Sequence, residues 1–407
     1  VEPCRSLCAG LLHCPTARLP DCPTPRGAAV LSRIAESLYW IGRYVERAED
    51  TARITDVTYH HTLEMGASEE AQARRCRHWE ALLAIVGDAE RFAVAHAEAN
   101  EQTVPPYPTF AADNPNAIVA CIARARENAR AMRHQLASEM WEVLNRFHLD
   151  LQRRAAGGTA PLGVANAHLF YRSIKEFSHL FQGITDSTMP REEGWYFLQA
   201  GKFLERAEKT ARALDVKYHL LVADAAPDAP VAGPGFHAAA AGLSLADGVP
   251  GDWHQWIAVL RSLSAYEAYH KLYRSGVRPR AVIEMLTLSP IFPRSIRFAL
   301  AEVDAALARI AALGSAEQRV LSAEDWGGTP LYPGLSTQHS ALSTRDEAER
   351  AVGRLHSLLA YQRIEEIFAT GLHAYLVDLQ GQCYRIGEEI QGQYFAHRPL
   401  RAEEVVA

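Results

Sequence analysis

One helical segment occurs twice in this chain. Gly42 to His60 (GRYVERAEDTARITDVTYH) realigns without a gap on Gly201 to His219 (GKFLERAEKTARALDVKYH), with twelve of nineteen positions identical. Fainter echoes link Trp79–Phe92 with Trp256–Tyr269, and Pro115/Ile118 with Pro293/Ile296. A duplicated segment of this kind restricts the fold to tandem units whose equivalent helices face a shared centre, and it predicts pseudo-twofold packing.

The surrounding pattern predicts an all-α protein, a helical bundle built from two pseudo-repeated halves. Apolar residues recur at three- and four-residue spacing over Leu31–Thr62, Arg77–Asn100, Pro115–Gln152, Leu162–Thr185, Glu193–Ala223, Asp252–Ser275, Pro279–Thr287, Pro293–Leu313 and Ser343–Ile390. No long period-two stretch predicts a strand. The first half is expected over residues 30–224, which includes the start of the second repeat, and the second over 252–407. A Gly- and Ala-rich linker or loop is expected between them, over 225–251. Residues 1–29 hold Cys4, Cys8, Cys14 and Cys22 among prolines, without paired zinc-ligand spacing or a signal-peptide core, and read as a disordered extension. Cys76, Cys121 and Cys383 fall in helical patterns, as buried thiols of a reducing cytoplasm would. A net charge of −6 argues against nucleic acid as a partner, and no apolar run is long enough to span a bilayer.

Helical geometry sorts the repeat into faces. Ile41, Val45, Ala48, Ala52 and Tyr59 form a core stripe. Gly42, Glu46, Glu49, Arg53, Asp56 and His60 form a second, polar stripe about 27 Å long. Each of its members recurs, as Gly201, Glu205, Glu208, Arg212, Asp215 and His219. Asp50 becomes Lys209 and Thr58 becomes Lys217, positions expected to face away. A repeated polar stripe suits an enclosed network more than a solvated face. Glu46, Glu205, Glu49, Glu208, His60 and His219 are the acid–base candidates, and Arg47, Arg53, Arg206 and Arg212 are candidates to hold a carboxylate or phosphate of a substrate. The competing reading is a buried network that sets helix register without chemistry. Arg47 and Arg206 lie about 100° from their neighbouring glutamates and are expected to reach an adjacent helix.

Several segments together carry a family resemblance. They are Leu31-Ser-Arg-Ile-Ala-Glu-Ser-Leu-Tyr-Trp-Ile-Gly-Arg-Tyr-Val-Glu-Arg-Ala-Glu-Asp-Thr-Ala-Arg53, then Ala125-Arg-Glu-Asn-Ala-Arg130 with Trp141 and Asn145. Met189, Arg191, Gly194-Trp-Tyr-Phe-Leu198, Gly201 to Arg206 and Phe292-Pro-Arg-Ser295 complete the set. The chain resembles, from about Leu31 to Ile390, the alpha-E family of bacterial helical proteins with a Glu-Arg motif. The resemblance implies company: a circularly permuted ATP-grasp protein, often with a transglutaminase-like protein, in peptide or amide-bond metabolism. It implies a helical partner that organises the complex, presents a peptide or amino-acid acceptor, or handles an acyl intermediate. The alternative is an enzyme in its own right that uses the repeated Glu/Arg/His stripe.

No cofactor is expected, since the chain has no G-x-x-x-x-G-K-[ST] loop and Gly157-Gly158 and Gly327-Gly328 are isolated pairs. No metal is expected either. Glu176/His179 and Glu267/His270 have di-metal spacing, but neither pair recurs in the other half, which leaves a di-metal carboxylate protein as a minor alternative. Arg126, Arg130 and Arg133 share a helix face that suits a phosphate or carboxylate, or equally solvent.

Overall fold

Amphipathic periodicity is realised here as helices throughout. The computed structural model describes residues 27–66, 68–156, 166–225, 253–274, 276–324 and 347–395, without the side chains of residues 27–31, 219, 221–225 and 314–324. The described residues form α1 (Gly27–Leu63), α2 (Glu69–Val86), α3 (Ala89–Ala95), α4 (Tyr107–Phe110), α5 (Ile118–Ala131), α6 (Ser138–Ala156), α7 (Ala167–Thr188) and α8 (Glu193–Ala225). There follow α9 (Trp253–Ser262), α10 (Tyr266–Leu272), α11 (Pro279–Leu288), α12 (Ile296–Glu324), α13 (Glu347–Tyr361), α14 (Ile364–Thr370) and α15 (Leu372–Ile390). No strand occurs among them, and the protein is all-α. Residues 1–26, with the four cysteines of the expected extension, both glycine pairs and residues 226–251 of the expected linker lie outside the described residues, while residues 27–29 of that extension belong to α1.

Four long helical stretches are divided by local backbone chemistry. Gly87 takes a left-handed φ of 85° and caps α2, which splits the expected 77–100 helix. Ser264 at φ 50° separates α9 from α10, and Gly371 at φ 92° separates α14 from α15. Between α5 and α6 a 3₁₀ turn at Arg133–Gln135 intervenes.

The two copies of the repeat lie on α1 and α8, which pack side by side at the centre. α5 and α7 flank α1, while α12 and α15 flank α8. This central position overturns the expected outward face: Asp50, Thr58, Lys209 and Lys217 are all buried, because helices surround α1 and α8 on every side. The expected core stripe Ile41, Val45, Ala48, Ala52 and Tyr59 is buried as well. Cys121 and Cys383 are buried thiols, whereas Cys76 is only half-buried.

Glycine sets the spacing of the central pair. A Cβ on Gly42 would overlap the Leu198 carbonyl, and one on Gly201 would overlap the Tyr39 carbonyl. Both obstacles are backbone, so a methyl group can be accommodated only if the helices separate. Gly42→Ala and Gly201→Ala are each expected to lower unfolding free energy by about 1–3 kcal/mol or more in denaturant melts. The double variant should cost less than the sum, since a seam opened once accommodates both methyls. Gly183→Ala on α7, where a Cβ meets nothing within 4 Å, should be neutral or stabilising.

Candidate functional site

Close approach of α1 and α8 places the glutamate of each Glu-Arg dipeptide under the arginine of the other. Arg47 donates from Nε to Glu205 Oε1 (2.7 Å) and from Nη2 to Oε2 (2.8 Å). Arg206 does the same to Glu46, at 2.6 and 2.8 Å. Planar forks of this kind fix both partners in one geometry. The expected reach of Arg47 and Arg206 to a neighbouring helix is met by these bonds. The remaining Nη1 of each guanidinium is held as well: Arg47 donates to Asn116 Oδ1, just before α5, and Arg206 to the Pro293 carbonyl, just before α12.

Further acids and bases extend the network. Arg43 donates to Glu205 (2.8 Å), Glu208 (2.6 Å) and the Tyr39 hydroxyl. Glu49 accepts from Arg53, from Arg294 and from the Ser178 hydroxyl, with His179 Nε2 at 3.5 Å. Arg294 also donates to Asp50 (2.6 Å). Arg43, Asp50 and Arg294 of this network, and Lys209 on the cleft beside it, escaped the sequence reading as site residues. The signal for Arg294 was its place in the Phe-Pro-Arg-Ser segment. Asp50 and Lys209 were visible only as a mismatch in the repeat.

The lower ends of the stripes carry histidines from other helices. Asp56 accepts from Lys175 Nζ (2.7 Å) and His168 Nδ1 (3.1 Å), with His60 Nδ1 at 3.4 Å, and His373 Nδ1 lies 2.8 Å from Asp215. Ligand atoms of Asp56, His60 and His168 lie within 4.8 Å of one another, the one such trio among the described residues. A metal there would share the carboxylate with the Lys175 ammonium. The side chain of His219 is outside the described residues. Glu176 pairs with Arg172 while its partner His179 turns to Glu49, so this Glu-x-x-His pair does not converge. Arg126 and Arg130 stand apart from the seam: both pair with Glu127, and Arg126 also lies over the Trp141 ring.

Beside Glu205 the seam opens into a cleft of about 450 Å³, lined by Arg43, Arg47, Lys209, Arg212, Glu208 and Trp40, with Gly87, Asn116 and Glu388 also on its wall. Burial alone would raise the Glu205 carboxyl, but Arg47 and Arg43 outweigh it and hold the group well below the usual carboxylate range. In the opposite direction, burial pushes Asp50 up to about 7 against the pull of Arg294, with Glu46 and Glu49 adding to the rise. Burial pushes Lys209 down to about 8, although Glu205 and Asp50 oppose the shift; Arg47 and Arg212 reinforce it. Lys202 is likewise held at about 8 by burial and Arg206.

Residues 30–325 and 333–395 match the alpha-E family, described as a predicted alpha-helical domain with a conserved ER motif. The chain belongs to the alpha-E family. Two Glu-Arg dipeptides of this alpha-E chain, Glu46-Arg47 and Glu205-Arg206, are the ones that satisfy each other at the seam. Uncharacterized proteins of Mycobacterium bovis and Mycobacterium tuberculosis are similar, each 26% identical over 207 residues. The similar stretch is 46% of this chain and 22% of each relative, so this chain spans under a quarter of the length of the curated relatives it matches. No solved structure matches.

The buried lysines make stability depend on pH in a definite direction. Below pH 8 Lys209 is protonated both folded and unfolded, and the fold carries the cost of its buried charge. Between about 8 and 10.4 the unfolded chain binds more protons, so stability rises with pH. Lys209→Met should therefore raise unfolding free energy by about 1–3 kcal/mol at pH 7. Thermal melts should show that gain shrinking towards pH 10.

Proposed function

We propose that this alpha-E protein is a helical partner of an ATP-grasp ligase in peptide or amide-bond metabolism. In this reading it organises the complex or presents an acceptor, and the seam glutamates do not supply acid–base chemistry. The observation that carries the reading is the double neutralisation of Glu205 by Arg43 and Arg47, at 2.7–2.8 Å, on the wall of the cleft. A general acid or base works best with a pKa near the operating pH, and two guanidiniums hold this carboxylate ionised far below it. The greater length of the mycobacterial relatives also suits a helical unit that acts beside other polypeptide. A transglutaminase-like protein is a second partner within the same reading.

The test uses Glu46→Gln and Glu205→Gln. Each removes one charge from a buried pair and is expected to cost about 3–5 kcal/mol of stability, seen as a lower melting temperature. Product formation with the ATP-grasp protein and ATP, scaled to folded protein, should stay close to wild type. Wild-type melting with turnover reduced about 10²- to 10⁴-fold would assign the glutamates to acid–base catalysis instead.

A further inference from the structure

The two copies of the repeat are neutralised differently, and the difference coincides with the cleft. Around Glu46, three carboxylates (Glu46, Glu49, Asp50) face three guanidiniums (Arg206, Arg53, Arg294), and all are joined by the bonds described above. Around Glu205, three carboxylates (Glu205, Glu208 and the exposed Glu388) face four cations (Arg43, Arg47, Lys209, Arg212) on the cleft wall. Two exchanges produce the imbalance. Lys209 stands where the first copy has Asp50. Asn116 stands, in the register of the Pro115/Ile118 and Pro293/Ile296 echo, where the other half has Arg294. The first exchange adds positive charge, and the second replaces a long side chain with a short one.

Arg43 and Arg47 spend their donors on Glu205, Glu208, Tyr39 and Asn116. Neither Lys209 nor Arg212 has a carboxylate in contact among the described residues, although Glu205 and Asp50 act on Lys209 from a longer distance. Lys209, only 6% exposed, donates one bond, to the Val86 carbonyl at 3.3 Å. Arg212 makes no hydrogen bond to a described residue. Its guanidinium lies against Gly87, where an added Cβ would sit 2.9 Å from Nη1, so the glycine keeps this arm of the cleft open. Glu388 is on the wall too, but it is exposed and engaged by Tyr384. Buried charges in folded proteins are paired, and the buried Lys209 ammonium, beside the half-buried Arg212, has no anion in contact.

We infer that this cleft is a binding site for a phosphoryl group, held by Lys209 and Arg212. Two cations without a carboxylate in contact suit a dianion, and a phosphate monoester carries about −1.5 to −2 at neutral pH. A monocarboxylate would leave one cation uncompensated. The 450 Å³ volume exceeds a lone phosphate and leaves room for an organic body beside the Trp40 ring. Burial that weakens the protonated form of Lys209 is relieved when a dianion arrives, which favours occupation over the empty state. The site stands on charge and space in this chain alone and holds whether or not the partner is an ATP-grasp ligase.

Calorimetric titration of the full chain in low-salt HEPES at pH 7 tests it, with inorganic phosphate, pyrophosphate, acetate and succinate as probes. Phosphate or pyrophosphate should bind one per chain, and acetate and succinate at least tenfold more weakly. Lys209→Met and Arg212→Met, each shown by melting to be folded, should weaken phosphate or pyrophosphate about tenfold or more, as expected for one charged hydrogen bond. Arg153→Met, an exposed arginine paired with Asp150, should bind as wild type. Absence of phosphate and pyrophosphate binding at millimolar concentration overturns the inference. So does equal or tighter binding of the carboxylates, or unchanged affinity in both cleft variants.

Discussion

Reciprocal pairing of two buried Glu-Arg dipeptides, at a crossing that only glycine permits, is the constraint on which the rest depends. Neither glutamate has an arginine of its own helix in position to neutralise it through a bidentate fork. Each is satisfied only when α1 and α8 meet in one register, with Gly42 over Leu198 and Gly201 over Tyr39. Misregistry would leave charged groups unpaired in a dry interior, a loss of several kcal/mol per pair. Burial of apolar surface brings the helices together, while the ion pairs select which faces meet.

From that seam the layers follow outwards. α5 and α12 begin where Arg47 and Arg206 need acceptors, at Asn116 and Pro293. α7 and α15 bring His168 and His373 to Asp56 and Asp215. Comparable contacts therefore serve both central helices, from flanking residues at unequal sequence offsets. Where they do not recur, the chemistry changes: Arg294 closes one side with three acids, and Asn116 leaves the other side open with Lys209 and Arg212 exposed to a cleft.

Fold class, the two central helices and the core stripe were readable in the sequence because each depends on local periodicity. The reach of Arg47 and Arg206 was readable for the same reason, since their angle to Glu46 and Glu205 is a property of a single helix. Helix ends at Gly87, Ser264 and Gly371 were not, because left-handed backbone at one residue breaks no apolar pattern. Asp50 and Lys209 were assigned to solvent because sequence variation between the copies looked like freedom. It is a buried exchange of charge sign, each member answered by a different neighbour.

Residue order along the chain is enough to make it helical, to duplicate a polar stripe and to turn the Glu-Arg arginines towards partners on other helices. Those are consequences of 3.6 residues per turn and of residue type. Only the tertiary structure decided which arginine meets which glutamate, that Arg126 and Arg130 stand away from the seam, and that one copy is charge-balanced while the other borders a basic cleft. Ion pairing between residues about 160 positions apart depends on how helices are brought together, and no periodicity along the chain encodes that.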